Sequence, residues 1–116
     1  MKQPGYRLGE AQRDIVLHAV QKHCTHRDWR LLAVHVRSTH VHLVLEAKQV
    51  PERILTEIKA YASRALSRAG FDGRTRKRWA RHGSTRYLWQ PQHAKAAIEY
   101  VVFGQGGPMA VWRYQA

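Results

Sequence analysis

Apolar residues recur along the chain at two periods, and the changes of period predict where its helices and strands lie. A spacing of three to four residues, typical of a helix with one buried face, covers residues 10–22 and returns at residues 51–70. Two apolar runs between these helices, residues 29–36 and 39–46, have the composition of strands. Because only Arg37 and Ser38 separate the two runs, we expect a short, antiparallel connection.

The last third of the chain predicts further strands and one more helix. Residues 78–89 favour a strand pair or one bent strand, and residues 109–114 form a short tail that can pack as a strand. Between them, a helix begins at residues 90–91 and runs to about residue 105, where glycines and a proline stop it. This order of elements predicts one α+β domain over residues 1–116, with helices packed on an antiparallel sheet.

Positive charge is concentrated in the middle of the chain. The whole chain has 20 Lys and Arg residues against 8 Asp and Glu residues, a net charge of +12. Residues 53–86 hold ten basic and two acidic residues, and therefore +8 of that charge. Basic residues with interleaved aromatic rings are typical of surfaces that follow phosphates and stack on bases. This segment favours nucleic acid as the partner, and a solubilising basic face is the alternative.

The candidate DNA-binding residues come from the second half of that segment and from the few residues that follow it. The predicted phosphate contacts are Arg74, Arg76, Lys77, Arg78, Arg81 and Arg86. Trp79 and Trp89 are predicted stacking platforms, although tryptophan is equally suited to filling a core.

The cysteine count and the N-terminal residues predict a cytoplasmic protein. The lone Cys24 cannot form an internal disulfide, which fits a reducing compartment. The first five residues are followed by no apolar core of a secretory signal, and no apolar run approaches the ~18 residues of a membrane span. We therefore expect association with the nucleoid and no membrane partner. The run at residues 23–26 has no second cysteine pair and is interpreted as a helix end rather than a metal site.

Two histidines flank one apolar residue in the second predicted strand. His40 and His42 would point to the same face, with Cα atoms ~6.5 Å apart, so that two ring nitrogens can converge on one cation. Val41, Leu43 and Leu45 would anchor the opposite face of the strand. Imidazoles side by side in an apolar strand are costly to desolvate, which favours a metal site over a hydrogen-bonded polar patch.

Three further residues are candidates for the same chemistry. His35, in the preceding strand, is either a partner behind the metal ligands or an ordinary strand residue. Tyr100 lies on a flank of the last helix, where a tyrosine alone usually packs at the rim of a core. Gln105 stands at the Gly-rich end of that helix, where its amide either approaches a cation or belongs to the helix cap.

The order of these motifs resembles that of the single-tyrosine HUH transposases, which comprise Insertion-Sequence-200-like and REP-associated tyrosine transposases. The resemblance rests on the His-apolar-His run at residues 39–45, on residues 29–33 before it, and on residues 83–89 and 99–101 after it. It spans residues 10–107. It implies a ferredoxin-like HUH domain, Mg²⁺ or Mn²⁺ held by His40 and His42, a nucleophilic Tyr100, and a homodimer.

The reaction that the resemblance implies is metal-dependent nicking and strand transfer on single-stranded, hairpin-bearing DNA. Tyr100 would attack a phosphate, forming a 5′-phosphotyrosine link and freeing a 3′-hydroxyl, while the cation offsets charge on the phosphate. The free hydroxyl can later reverse the step on a new strand. Such an enzyme of transposition and DNA recombination conserves the bond energy and needs no ATP.

The chain departs from the family pattern in two places. Family members commonly supply a third ligand four residues after the tyrosine, where this chain has Gly104. Gln105, the candidate for that ligand, would lie ~140° around a regular helix from Tyr100, against ~40° for the usual spacing. The family's first strand is reduced to residues 5–8 at most, so the sheet either lacks that strand or completes it through a dimer partner.

Two other functions are compatible with the same residues. A catalytically inactive, domesticated relative would bind single-stranded DNA with the same fold and the same basic surface. A metal-dependent phosphodiesterase would activate a water molecule instead, and Tyr100 would then be structural.

Overall fold

The described part of the chain contains the helices and strands that its sequence predicts there. The computed structural model describes residues 7–71, 91–104 and 106–114. In chain order they form α1 (Glu10–His26), β1 (Arg30–Val36), β2 (Val41–Glu46), α2 (Pro51–Arg68), α3 (Pro91–Phe103) and β3 (Ala110–Arg113). The strands predicted at residues 78–89 lie outside the described residues. No helix within the described ranges is long and apolar enough to span a bilayer.

The strands of the described residues form one antiparallel sheet with β1 in its centre, in the order β2-β1-β3. At the hairpin end Val36 pairs with Val41, and on the other side of β1 the same Val36 pairs with Ala110. The antiparallel connection and the strand in the C-terminal tail are thus confirmed, and so is the α+β class.

Helices cover both faces of the sheet, because β1 is apolar on both. Residues 31–36 of β1 are all buried, as expected for a central strand between two layers. On one face Val34 packs with Ile58 of α2 in the larger core, and on the other Ala33 packs with Val101 and Val102 of α3. Full burial of a side chain such as Ile58 stabilises the fold by roughly 1.5–3 kcal/mol.

The apolar spacing predicts that the first helix ends at about Lys22, but the helix continues to His26. Cys24 is buried in the larger core, so the last turn remains attached to the domain. The Trp29 N–H donates to the Cys24 carbonyl at 2.8 Å, and Asp28 adopts the left-handed φ of 58° that this ending requires. Residues 23–26 are therefore a helix end, as interpreted from the sequence.

The second helix begins at Pro51, as predicted, and its last residue, Arg68, lies two positions before the predicted end at Gly70. Pro51 lies in the first turn, where its missing N–H leaves no hydrogen bond unmade. Gly70 follows the last turn with a φ of 88°, and the Phe71 N–H donates to the Leu66 carbonyl at 3.0 Å. This backbone closure is the Schellman ending, for which glycine is preferred.

Residues 7–9, the described part of the segment before α1, pack against the β1–β2 hairpin and are not a strand. Leu8 is buried, and its N–H donates to the Ser38 carbonyl at 2.8 Å. The sheet of the described residues therefore lacks the first strand of the resembled layout, and β2 and β3 are its edges.

A charged cluster joins α1 to α2 at the edge of the larger core. One carboxylate oxygen of Glu57 lies 2.9 Å from Nε2 of the buried His23 and 3.1 Å from Nε of Arg27, and Arg53 lies 3.5 Å from the other oxygen. The hydrogen bond with His23 is the main reason that the pKa of Glu57 is lowered, and the two arginines lower it further.

We expect the stability advantage of the wild-type chain over Glu57→Gln to depend on pH. The folded-state pKa of Glu57 lies below its ordinary 4.5, so its contribution is fully present above pH 4.5 and is lost as the pH falls through the folded-state value. Urea unfolding of both chains from about pH 7 to about pH 3 measures this difference in unfolding free energy. The exposed Glu52→Gln on the same helix is the control and should show a smaller pH-dependent gap. A gap that stays constant or grows in acid would contradict the prediction.

The Cys24 thiol should be unreactive in the native chain. Burial raises the pKa of this thiol to about 11, and the thiolate is the form that attacks disulfide reagents. At about pH 8 the native chain should react with dithiobis-nitrobenzoate roughly 100-fold or more slowly than the urea-unfolded chain, as followed by absorbance. Equal rates would mean that the thiol is open to solvent in the fold.

Candidate functional site

His40 and His42 lie together where the hairpin enters β2. His42 belongs to the strand, and His40 directly precedes it, with its carbonyl accepting the Arg37 N–H at 2.8 Å. The two ring centroids are 5.8 Å apart and the ring planes differ by 22°. A cation bound at ~2.1 Å by one nitrogen of each ring needs the rings to be about this close. These two residues, hereafter the histidine pair, can therefore offer two nitrogens to one ion.

The opposite face of β2 anchors the strand that carries the pair. Val41 is buried in the larger core, and Leu43 and Leu45 pack half-buried against it. These are the three residues to which the alternating pattern assigns that role. The pair itself faces the layer of α3, because His42 and Val44 lie on the same side of the strand.

The surroundings of the pair keep its lone pairs available. Burial lowers the pKa of His42, and the neighbouring His40, His35 and Arg37 lower it further. His42 is therefore neutral at physiological pH, which a metal ligand must be. His40 is exposed, and its Nδ1 lies 2.8 Å from the Thr39 hydroxyl, so Nε2 would be open to a cation in the tautomer whose Nδ1 donates to that hydroxyl.

His35 lies directly opposite His42 in β1, but both of its ring nitrogens are engaged with the backbone. Nδ1 lies 2.9 Å from the Val101 carbonyl, and Nε2 accepts the Met109 N–H at 3.0 Å. Because a carbonyl only accepts, Nδ1 carries the proton and Nε2 has no lone pair left for a metal. Among the described residues, no group of three His, Cys, Asp or Glu side chains could hold a metal ion.

Tyr100 lies on the outward side of α3. The helix packs on the sheet through Ala97, Ile98, Val101 and Val102, and Tyr100 is 61% exposed on its flank, as the helical spacing predicts. Within the described residues, no hydrogen bond or ring contact joins Tyr100 to the histidine pair. The structure therefore brings the two histidines together but does not bring the tyrosine into contact with them.

The end of α3 brings Tyr100 against Gly104. The helix ends at Phe103 rather than at about Gln105, and the Gly104 N–H donates to the Tyr100 carbonyl at 2.8 Å. A Cβ at position 104 would lie 2.7 Å from Cδ1 of the Tyr100 ring and 2.8 Å from its carbonyl oxygen. The tyrosine ring thus fills the space in which the resembled pattern would place its third ligand.

Several predicted site residues lie outside the described residues. They are the third-ligand candidate Gln105, the candidate phosphate contacts Arg74, Arg76, Lys77, Arg78, Arg81 and Arg86, and the stacking candidates Trp79 and Trp89. Their roles stay predictions from the sequence.

Gly104→Ala should destabilise the fold, because the added methyl would collide with a backbone carbonyl as well as with a ring. We expect a loss of about 1–3 kcal/mol of unfolding free energy, the usual cost of overpacking. Gly107→Ala is the matched control in the same segment, since nothing lies within 4 Å of a Cβ there, and it should change stability by about 0.5 kcal/mol or less. Urea denaturation of both variants measures the difference, and equal losses would refute the close contact.

The sequence of the chain matches the model of a known protein family. The model of the family described as "Transposase IS200 like" matches residues 7–101, which include α1, the histidine pair, the basic segment and Tyr100. Comparison with curated proteins found no match, and comparison with solved structures found none either. The match covers most of the chain, and on this evidence the chain belongs to the family of IS200-like transposases.

Proposed function

We propose that this chain is an HUH transposase, an endonuclease and strand transferase that nicks single-stranded, hairpin-bearing DNA with Tyr100 as its nucleophile. Membership of the transposase family supports action on DNA. The observation that carries the finer assignment is the histidine pair, with ring centroids 5.8 Å apart on the sheet face that α3 covers. The helix on that face is the one that bears Tyr100.

The donor set of the pair fits a divalent cation whose protein coordination is incomplete. His40 is exposed and His42 half-buried, so water and a phosphate oxygen could complete the shell. We propose Mn²⁺ or Mg²⁺, with Gln105 as a third ligand. When bound, the cation would offset the negative charge on the phosphate under attack.

Tyr100 would supply the attacking oxygen. A bond forms between this oxygen and phosphorus while the bond from phosphorus to the 3′ oxygen breaks, and the proton lost by the phenol balances the proton gained by the 3′-hydroxyl. The product is a 5′-phosphotyrosine that keeps the energy of the phosphodiester bond. At 61% exposure the side chain is open to a DNA strand.

The partners that we propose are a DNA strand and a second copy of the chain. The basic segment would follow the phosphates through Arg74, Arg76, Lys77, Arg78, Arg81 and Arg86, with Trp79 and Trp89 stacked on bases. Among the described residues, Tyr100 makes no hydrogen bond or ring contact with the histidine pair of its own chain. A homodimer would allow the Tyr100 of one subunit to reach the histidine pair of the other. Within the described residues β2 and β3 are the edges of the sheet, and an edge strand can pair with another chain.

A second candidate function is DNA binding without cleavage, as in a domesticated relative. It is favoured by the lack of a third His, Cys, Asp or Glu donor beside the pair among the described residues. The absence of a hydrogen bond or ring contact between Tyr100 and the pair among the described residues points in the same direction.

A covalent protein–DNA adduct should distinguish the two functions. Labelled single-stranded DNA from the flanks of the chain's own gene is incubated with the protein and Mn²⁺ or Mg²⁺ and run on a denaturing gel. The wild-type chain should form an adduct that Tyr100→Phe lacks. Tyr114→Phe, which changes another exposed tyrosine, is the matched control and should keep it. Retarded but uncut DNA with both metals would favour the binding protein.

The histidine pair can be tested in the same assay. His40→Ala should reduce adduct formation by roughly 100-fold or more, since the charge on the phosphate loses its counter-ion. Salt-sensitive DNA binding should remain within about threefold, because it depends on the basic segment. His93→Ala on the exposed side of α3 is the control and should leave both unchanged. Equal loss of binding and adduct in His40→Ala would indicate that His40 is structural.

A further inference from the structure

One residue of the central strand contacts the helix that carries Tyr100 and also lies beside the histidine pair. His35 is fully buried, at 0% exposure, and pairs with His42 across the sheet. Side chains of such a pair lie on the same face with Cβ atoms ~4.5–5.5 Å apart. Its Nδ1 donates to the carbonyl of Val101, the residue after Tyr100, at 2.9 Å. A single hydrogen bond therefore connects the helix of the nucleophile to the strand residue beside His42.

The hydrogen bond to Val101 is made where α3 lacks partners of its own. A helix leaves its last four carbonyls unpaired within the helix, and α3 ends at Phe103. The Gly104 N–H donates to the Tyr100 carbonyl, and Nδ1 of His35 donates to the Val101 carbonyl. Because α3 rests on the smaller of the two apolar clusters, this directional bond adds the constraint that fixes the rotation of its last turn.

The other nitrogen of His35 holds the segment that leaves α3. Nε2 accepts the Met109 N–H at 3.0 Å, directly before β3 begins. Arg37, the residue directly after β1, donates to the Gly107 carbonyl at 2.7 Å and lies 3.4 Å from the same Nε2. The end of α3 and the start of β3 are thus joined to the end of β1 by the side chains of His35 and Arg37.

We propose that His35 is a positioning residue of this site, whose protonated Nδ1 holds the last turn of α3, and with it Tyr100, in a fixed orientation relative to the histidine pair. The consequence for cleavage rests on the proposed function, whereas the hydrogen bonds themselves do not. An apolar side chain of similar volume would fill the same space but would leave the Val101 carbonyl and the Met109 N–H unpaired.

The first test needs neither metal nor DNA. Long-range ¹H–¹⁵N correlation spectra of the whole chain should show His35 in the neutral form with the proton on Nδ1. Hydrogen exchange of residues 98–109 should accelerate roughly tenfold or more in His35→Gln, while exchange in α1 stays unchanged. A proton on Nε2 in the wild-type chain, or unchanged exchange at residues 98–109 in the variant, would overturn the proposal.

The second test compares two variants that differ by one methylene. His35→Asn keeps an N–H near the position of Nδ1, whereas His35→Gln places its amide near Nε2 and leaves Val101 unpaired. In single-turnover adduct formation, His35→Gln should be slower by roughly tenfold or more, and His35→Asn should recover most of the rate. DNA affinity, and Mn²⁺ affinity measured by calorimetry, should stay within about threefold in both.

Val34→Ala is the matched control for a general loss of stability, because Val34 is equally buried in β1 but faces the opposite layer. It should lower the unfolding temperature and leave the adduct rate near that of the wild-type chain. Equal slowing in Val34→Ala and His35→Gln would refute a positioning role. If the wild-type chain forms no adduct at all, the proposed function fails, while the tautomer and the exchange data still decide the role of His35.

Discussion

The burial of β1 on both faces is the constraint on which the rest of the structure depends. A strand between two layers has no solvent to satisfy a polar side chain, so every polar group on it must find a partner within the protein. The buried ring of His35 finds two, at the Val101 carbonyl and the Met109 N–H. These two hydrogen bonds join the last turn of α3 and the residue before β3 to the central strand.

The two faces of the sheet differ in how much apolar surface they bury. The larger core between the sheet and α1 with α2 supplies most of the buried apolar side chains, and the Glu57 cluster closes its edge. The opposite face, under α3, is smaller and carries the histidine pair at its rim. The pair therefore stays partly open to solvent, as the proposed binding of a cation and of a phosphate requires.

The alternation of apolar and polar residues predicted the helices, the hairpin and the shared face of His40 and His42, because each depends only on local periodicity. It also placed Tyr100 on a flank of α3, although the exposure of 61% was not predicted. The pattern ended α1 too early, since His23 is polar in sequence but is buried against Glu57. The departure at Gly104 was visible in the sequence, yet its consequence was not, because the contact with the Tyr100 ring depends on how the helix ends.

By itself, the sequence determined the α+β class, the family, and the residue types available for chemistry, since these follow from periodicity and from motif order. Only the tertiary structure decided which partners the buried polar groups find. On sequence grounds His35 was either a partner behind the metal ligands or an ordinary strand residue, and only the fold shows that both of its ring nitrogens are engaged with the backbone. The physical reason is that a hydrogen bond needs atoms within about 3 Å, and residues 66 positions apart along the chain meet only when the layers pack.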